Sequence, residues 1–231
     1  MYRYFVHIMF IVLLGCKSPQ REDNNYLVNT DTSDSANIDQ ISLKDFDIFI
    51  QEYEDPGRVT WQNPEMVISK MGDFKDLVVA DIGTGTGYFA LRIVKNGGIV
   101  IGIDIEQKSI DYIEDRKSEL SPELAKRLTT RLSVPDDPRL SSNEADWVLI
   151  VNTYYFMDER VNYLKKVVKG LKESGKIMVV DYKIGDMPLG PNDSIKVPIT
   201  KALDEIKSAG FKILEVDNSS LQYQYIIVAQ R

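Results

Sequence analysis

The chain has 231 residues, 43% of them hydrophobic, enough for one good-sized core and a short appendage. Acidic residues outnumber basic ones 35 to 28, and no basic run is longer than a pair, which argues against affinity driven by nucleic-acid phosphates. A single cysteine, Cys16, excludes an internal disulfide.

The first segment, MYRYFVHIMFIVLLGC, places Arg3 ahead of an apolar stretch from about Phe5 to Leu14. That stretch is too short to span a bilayer comfortably and has the layout of a signal peptide. Leu13-Leu14-Gly15-Cys16 resembles the lipobox of bacterial lipoproteins, in which cleavage precedes the cysteine and the cysteine is lipidated. The lipobox pattern prefers a smaller residue than Leu14. The competing reading, a buried thiol in a core helix, sits poorly with the polar tract that follows. The expectation is a signal peptide over 1–15 and a lipid anchor at Cys16, holding the chain to a membrane of the cell envelope. If the signal reading fails, the chain is cytoplasmic.

Cleavage there removes Arg3 and His7 and leaves 216 residues at net charge −8 with no histidine. The usual general base and the commonest metal ligand go together. Composition thus excludes a metal site of the zinc type, His-dependent triads and cysteine nucleophiles.

Residues 17–40 are polar with few apolar side chains and read as a flexible tether, so 16–40 is anchor and tether. Residues 41–76 read as an N-terminal helical cap. ISLKDFDIFIQEYED predicts a helix, Pro56-Gly57 breaks it, Arg58 to Pro64 reads as irregular, and Pro64 suits a helix start.

From Leu77 strands and helices alternate over a domain of 77–231. Strands are expected at 77–82, 99–104, 129–134, 145–153 and 176–182. Helices are expected at 87–96, 107–118, 122–128 and 158–172. A loop with three prolines follows, then a helix closed by Gly210 and two strands forming a terminal hairpin. The expected fold is α/β: a doubly wound, mostly parallel sheet of Rossmann-like type with a C-terminal antiparallel hairpin.

Residues 78–90 read VVADIGTGTGYFA: a buried strand ending in Asp81, then Gly83, Gly85 and Gly87, then a helix start. Glycine permits positive φ and close ligand approach, and the helix start presents free N–H groups. IVIGIDI places Asp104 at the end of the second strand, 17 residues after Gly87, where an acid accepts both ribose hydroxyls. A nucleoside cofactor is implied.

On these residues the chain resembles the class I S-adenosylmethionine-dependent methyltransferases, from about Arg58 to the C-terminus. A dinucleotide fold needs G-x-G-x-x-G, but counting from Gly83 the place of its third glycine is taken by Tyr88. The D-x-G-x-G-x-G form is the methyltransferase pattern, with Asp81 welcoming a methionine ammonium. The resemblance implies S-adenosylmethionine as cofactor, bound by Asp81, Gly83, Gly85, Gly87, Asp104 and the adjoining Ile105. It places Asp136 or Asp137 against the adenine amino group and Asn152 beside the methyl-transfer face. Each of the last three equally suits an ordinary turn or strand end. Arg58, Trp61 and Gln62 lie where related enzymes fold a cap over the cofactor.

Methyl transfer mainly needs alignment, and a base only where the nucleophile carries a proton. With no histidine, the candidates are Tyr155, Tyr154 and Asp181. No N-P-P-Y-type tetrapeptide, radical-enzyme cysteine triad or nucleic-acid recognition domain is present, leaving a small-molecule or lipid-associated acceptor. The cofactor is cytosolic, whereas a lipidated Cys16 places the domain outside the inner membrane. The chain is therefore an active methyltransferase, a non-catalytic lipoprotein binding an adenosyl ligand, or an envelope interaction module with a vestigial pocket.

Overall fold

The computed structural model describes residues 46–231. The expected signal peptide, Cys16, the tether and the start of the cap (41–45) lie outside the described residues.

Strict alternation in the strands explains the architecture. In β1 (Val78–Ile82), Ala80 and Ile82 face one core while Val79 faces the other. In β4 (Ala145–Val151), Val148 and Ile150 take the first side, and Trp147, Leu149 and Val151 the second. Both faces are apolar, so helices must cover both. On the second face lie α3 (Pro64–Ser69), α4 (Tyr88–Lys95) and α5 (Gln107–Lys117), which contribute Val67, Phe89 and Ile113. On the first lie α7 (Arg160–Gly170) and α8 (Ile199–Ser208), which contribute Leu164 and Ile206.

The seven strands run β3-β2-β1-β4-β5-β7-β6, with β2 at Ile99–Asp104, β3 at Leu128–Leu132, β5 at Leu171–Tyr182, β6 at Lys212–Asp217 and β7 at Gln224–Gln230. Strands β1 to β5 are parallel; β7 runs antiparallel to both β5 and β6. This is the expected fold. The chain leaves β1 toward β2 and later returns to β4 on the other flank. The order therefore reverses between β1 and β4, where open sheets of this kind bind ligands.

Three differences from the sequence reading matter. Arg58–Gln62 is not irregular but a short helix, α2, between α1 (46–53) and α3. Helix α7 ends at Gly170, and β5 begins five residues early at Leu171, with a register shift between Ala145 and Trp147 opposite it. A 3-10 turn, Tyr154–Phe156, follows β4. Asn63, at φ 46°, links α2 to α3, and its side chain accepts the Met66 N–H, capping the helix that Pro64 opens.

Candidate functional site

The glycine turn is held by the neighbouring strand: Gly83 N and Thr84 N both donate to Ile103 O, at 2.8 and 3.0 Å. Gly83 (φ 71°), Gly85 (φ 55°) and Gly87 (φ 78°) all occupy the left-handed region. A Cβ at Gly83 would fall 2.2 Å from Thr153 Oγ1, so the turn after β1 and the turn after β4 touch over bare backbone. Gly87 caps α4, whose first N–H groups open toward the turn.

Two buried acids flank this turn. Asp81 is 3% exposed, accepts the Thr84 hydroxyl at 2.9 Å, and is pushed up to about 6 by burial. Asp104 accepts Gly85 N at 2.9 Å and Glu106 N at 3.0 Å, which fixes its carboxylate beside the loop. Burial raises its pKa as well, against the opposing pull of those N–H groups. Beyond it Ile105 is half exposed, an apolar surface next to the acid. Ser133 leans its N and Oγ on Asp104 O, at 2.7 and 3.2 Å.

The cap supplies a cation that the motif does not contain. Arg58, 4% exposed, donates Nε to Gln62 Oε1 (2.5 Å) and Nη1 to Tyr53 O (2.7 Å). Its guanidinium lies 3.9 Å from the Tyr88 ring centre, with Arg92 on the same ring at 3.6 Å. Among the described residues it forms no ion pair, although its charge is felt at Asp81. Burial lowers its pKa, but a guanidinium stays protonated. A buried cation that forms no ion pair suits an anionic group.

Gln62, Asn152 and Gln224 form a buried amide cluster. Gln62 Nε2 donates to Gln224 Oε1 (2.9 Å) and Asn152 Oδ1 (3.4 Å), and Gln224 Nε2 also donates to Asn152 Oδ1. Asn152 sits at φ 55°, and its Nδ2 has no partner. Thr86 Oγ1 and Tyr88 OH are the other buried polar atoms left unpartnered among the described residues. Thr86 and Tyr88 flank Gly87, and Asn152 precedes Thr153, which packs on Gly83; buried polar groups left unpartnered in this way are ones a ligand or water would satisfy.

Over the turn lies α1. The Phe49 ring comes within 3.3 Å of where a Gly85 Cβ would stand. Phe46 meets Tyr112 of α5 edge-on, and Glu54 pairs with Arg116 at 2.9 Å. Tyr53 lies beside Tyr155, and burial pushes its hydroxyl up to about 12.

The structure thus brings Asp104 against Gly85, Asp81 against Thr84, and Thr153, next to Asn152, against Gly83, with Ile105 following Asp104. Asp136 and Asp137 lie on the exposed loop beyond β3 and pair with Lys166 at 3.4 and 3.5 Å. Both lie near Tyr163, as Asp104 does. Tyr154 is fully buried on the α8 side, where its hydroxyl donates to Glu205 at 2.8 Å. Tyr155 stands against Tyr182 and Phe156, and burial raises its pKa far above any useful base. Asp181 is 1% exposed and accepts Tyr155 N (3.0 Å) and Tyr182 N (2.7 Å), tying the 3-10 turn to β5. Burial pushes it up to about 7.

Sequence reasoning named Arg58 and Gln62 only as cap residues, and it missed Phe49, Tyr53 and Gln224. Gln224 carried a signal, being a lone amide inside the apolar run YQYIIVA. Arg58 and Gln62, four apart, would have shared a face had α2 been recognised.

Residues 80–179, from β1 into β5, match a family model described as "Methyltransferase domain". No curated protein matches the chain. A crystal structure of a SAM-dependent methyltransferase from Aquifex aeolicus is 22% identical with TM-score 0.72, covering 78% of this chain and 96% of that one. The phosphoethanolamine N-methyltransferase 2 of Haemonchus contortus, solved with S-adenosyl-L-methionine, is 15% identical with TM-score 0.62, covering 74% and 52%. The [4+2]-cyclase SpnF is 17% identical with TM-score 0.63, covering 74% and 80%. At these identities the structural likeness establishes the methyltransferase-type fold. The domain match, spanning both glycine turn and acids, supports S-adenosylmethionine as the cofactor and methyl transfer as the class of activity.

Proposed function

We propose that this chain is an S-adenosylmethionine-dependent methyltransferase acting on a small-molecule or envelope-associated acceptor, tethered to a membrane through Cys16. The observation that carries the cofactor assignment is the turn of three positive-φ glycines held between Asp81 and Asp104, with a buried Arg58 that forms no ion pair among the described residues and whose charge acts on Asp81. These residues fit an adenosyl amino acid. Asp104 takes the ribose hydroxyls, Ile105 supports the base, and Asp81 meets the ammonium. Arg58 and the open N–H groups of α4 meet the carboxylate. When bound, the cofactor supplies an electrophilic methyl on a sulfonium that leaves readily. The protein's part is to align the acceptor and exclude water, with α1 and α2 closing the top.

Proton removal has one local candidate. Asp181, at about 7, is poised to exchange a proton near neutrality, yet both of its oxygens already accept N–H bonds. An acceptor that needs no base, or one that reaches Asp181 through a local shift of the 3-10 turn, fits this arrangement. The second reading is a binder that keeps the pocket without the transfer. The same fold carries the cyclase SpnF, so the crevice alone does not define methyl transfer.

Calorimetry of the purified chain with S-adenosylmethionine and S-adenosylhomocysteine tests the pocket; absence of heat with both ends both readings. Transfer of labelled methyl groups to an envelope extract separates enzyme from binder. Feeding cells a palmitate analogue and comparing wild type with Cys16→Ala tests the anchor, and equal labelling of the two would remove it.

A further inference from the structure

Gln62 of α2, Asn152 after β4 and Gln224 at the start of β7 are 0%, 4% and 0% exposed. Burying amides costs free energy unless their polar atoms are paired, and here one atom is not: Asn152 Nδ2 has no partner. Which end of an amide faces which neighbour is ordinarily ambiguous, because oxygen and nitrogen have nearly the same shape. In this cluster a fixed charge at one end decides it.

Arg58 has donors and no acceptor. Its Nε, at 2.5 Å, therefore faces the oxygen of Gln62 and not the nitrogen. The Gln62 nitrogen is thereby turned toward Gln224 Oε1 (2.9 Å) and Asn152 Oδ1 (3.4 Å). With its oxygen met by Gln62, Gln224 offers its own nitrogen to Asn152 Oδ1. Asn152 Oδ1 thus receives two N–H groups, and reversing the Asn152 amide would set its NH2 against both. The orientation passes from Arg58 through two glutamines to the end of β4.

The backbone of Asn152 is held as well. Its N donates to Val180 O at 3.0 Å, and its φ is 55°. The next residue, Thr153, packs on Gly83. The oriented amide therefore stands beside the glycine turn.

We infer that Gln62 and Gln224 are positioning residues that hold Asn152 as a hydrogen-bond donor, and that the group it meets is the carboxylate of the adenosyl amino acid. The inference rests on the cofactor reading above. Arg58 and Asn152 stand one hydrogen bond to either side of Gln62. Every amide oxygen in this set already accepts, and what is unused is an N–H. A carboxylate gains most from such a set, and an ammonium least.

The test titrates the whole chain with two analogues of S-adenosylhomocysteine and a reference. The acid analogue, 5′-S-(3-carboxypropyl)-5′-thioadenosine, lacks the amine. The amine analogue, 5′-S-(3-aminopropyl)-5′-thioadenosine, lacks the acid, and 5′-methylthioadenosine lacks both. Asn152→Gly removes the amide without backbone strain, since glycine accepts φ 55°. It is expected to weaken the acid analogue at least about 10-fold and the other two compounds less than about threefold, as hydrogen bonds to charged groups exceed that ratio. Gln224→Met, similar in length but without an amide, removes one of the two bonds that orient Asn152. It should weaken the acid analogue about three- to tenfold and again spare the reference. A merely structural cluster would weaken all three compounds alike, and an Asn152 that offered its oxygen would lose the amine analogue instead. Either result overturns the proposal. A second measurement needs no variant: in the nitrogen-15-labelled wild type, the Asn152 NH2 resonances should move much further with the acid analogue than with the amine analogue. Equal movement overturns the proposal too. If 5′-methylthioadenosine does not bind the wild type at all, the cofactor reading falls and takes this inference with it.

Discussion

Asp104 is already committed to two backbone N–H groups, yet a carboxylate has lone pairs to spare for a diol. Asp104→Ala should therefore do two kinds of damage, removing the sugar's acceptor and freeing the Gly85 loop. It is expected to weaken S-adenosylhomocysteine by on the order of 100-fold, since hydrogen bonds to a charged group contribute about 1.5–3 kcal/mol each. Tyr155→Phe, which keeps the ring against Phe156 and Tyr182 and loses only the hydroxyl, should change affinity by less than about threefold on the same calorimetric scale. Arg58 permits a sharper comparison. Arg58→Ala should weaken S-adenosylhomocysteine at least about 10-fold while leaving 5′-methylthioadenosine, which lacks the amino-acid end, unchanged. An equal loss for both ligands would mean that Arg58 only supports Tyr88 and the cap.

At the scale of elements, α1 decides access. Phe49 lies on the glycine turn, and the Glu54–Arg116 pair, with each side chain about a quarter exposed, fastens the helix to α5. A partly exposed pair contributes no more than about 1 kcal/mol. Glu54→Gln should therefore speed both association and dissociation of S-adenosylhomocysteine by about two- to fivefold in stopped-flow measurements, with little change in Kd. Unchanged rates would show that the ligand enters without moving α1. The same region marks where sequence reasoning ran out. The Rossmann half was legible because Val78, Val79 and Ala80 make an unbroken apolar run, as a strand buried on both faces does, and the glycines break it at one place. The short α2 was not, because five residues after Pro56-Gly57 show no period and its helicity comes from packing Arg58 and Gln62 inward. The roles of Tyr154 and Asp181 were invisible for another reason. Their partners, Glu205 and the N–H groups of Tyr155 and Tyr182, come from other parts of the fold or from local geometry that spacing does not encode.

For the whole molecule, the buried acids make stability depend on pH. Asp81 at about 6 and Asp181 at about 7 both sit above the ordinary carboxylate value near 3.8. Between about pH 4 and 7 the folded protein holds more protons than the unfolded chain, so stability falls as pH rises through that window. The combined effect is on the order of a few kcal/mol. The Tm is expected to drop from pH 5 to pH 8, and Asp181→Asn should flatten part of that slope. Stabilisation by S-adenosylmethionine should be larger at pH 8 than at pH 5, because an ionised Asp81 then meets the ammonium. A Tm that rises steadily across this range contradicts the burial of these acids as charged groups.

The link from Gln62 through Asn152 to Gln224 has a consequence for how the molecule comes into being. It closes a loop of 162 residues, so this corner of the roof is pinned only once the seventh strand has emerged, whereas α1 and Arg58 already rest on α4 and α5. The end of β4 at Asn152 is therefore the last part of the site to be set as the polypeptide leaves the ribosome.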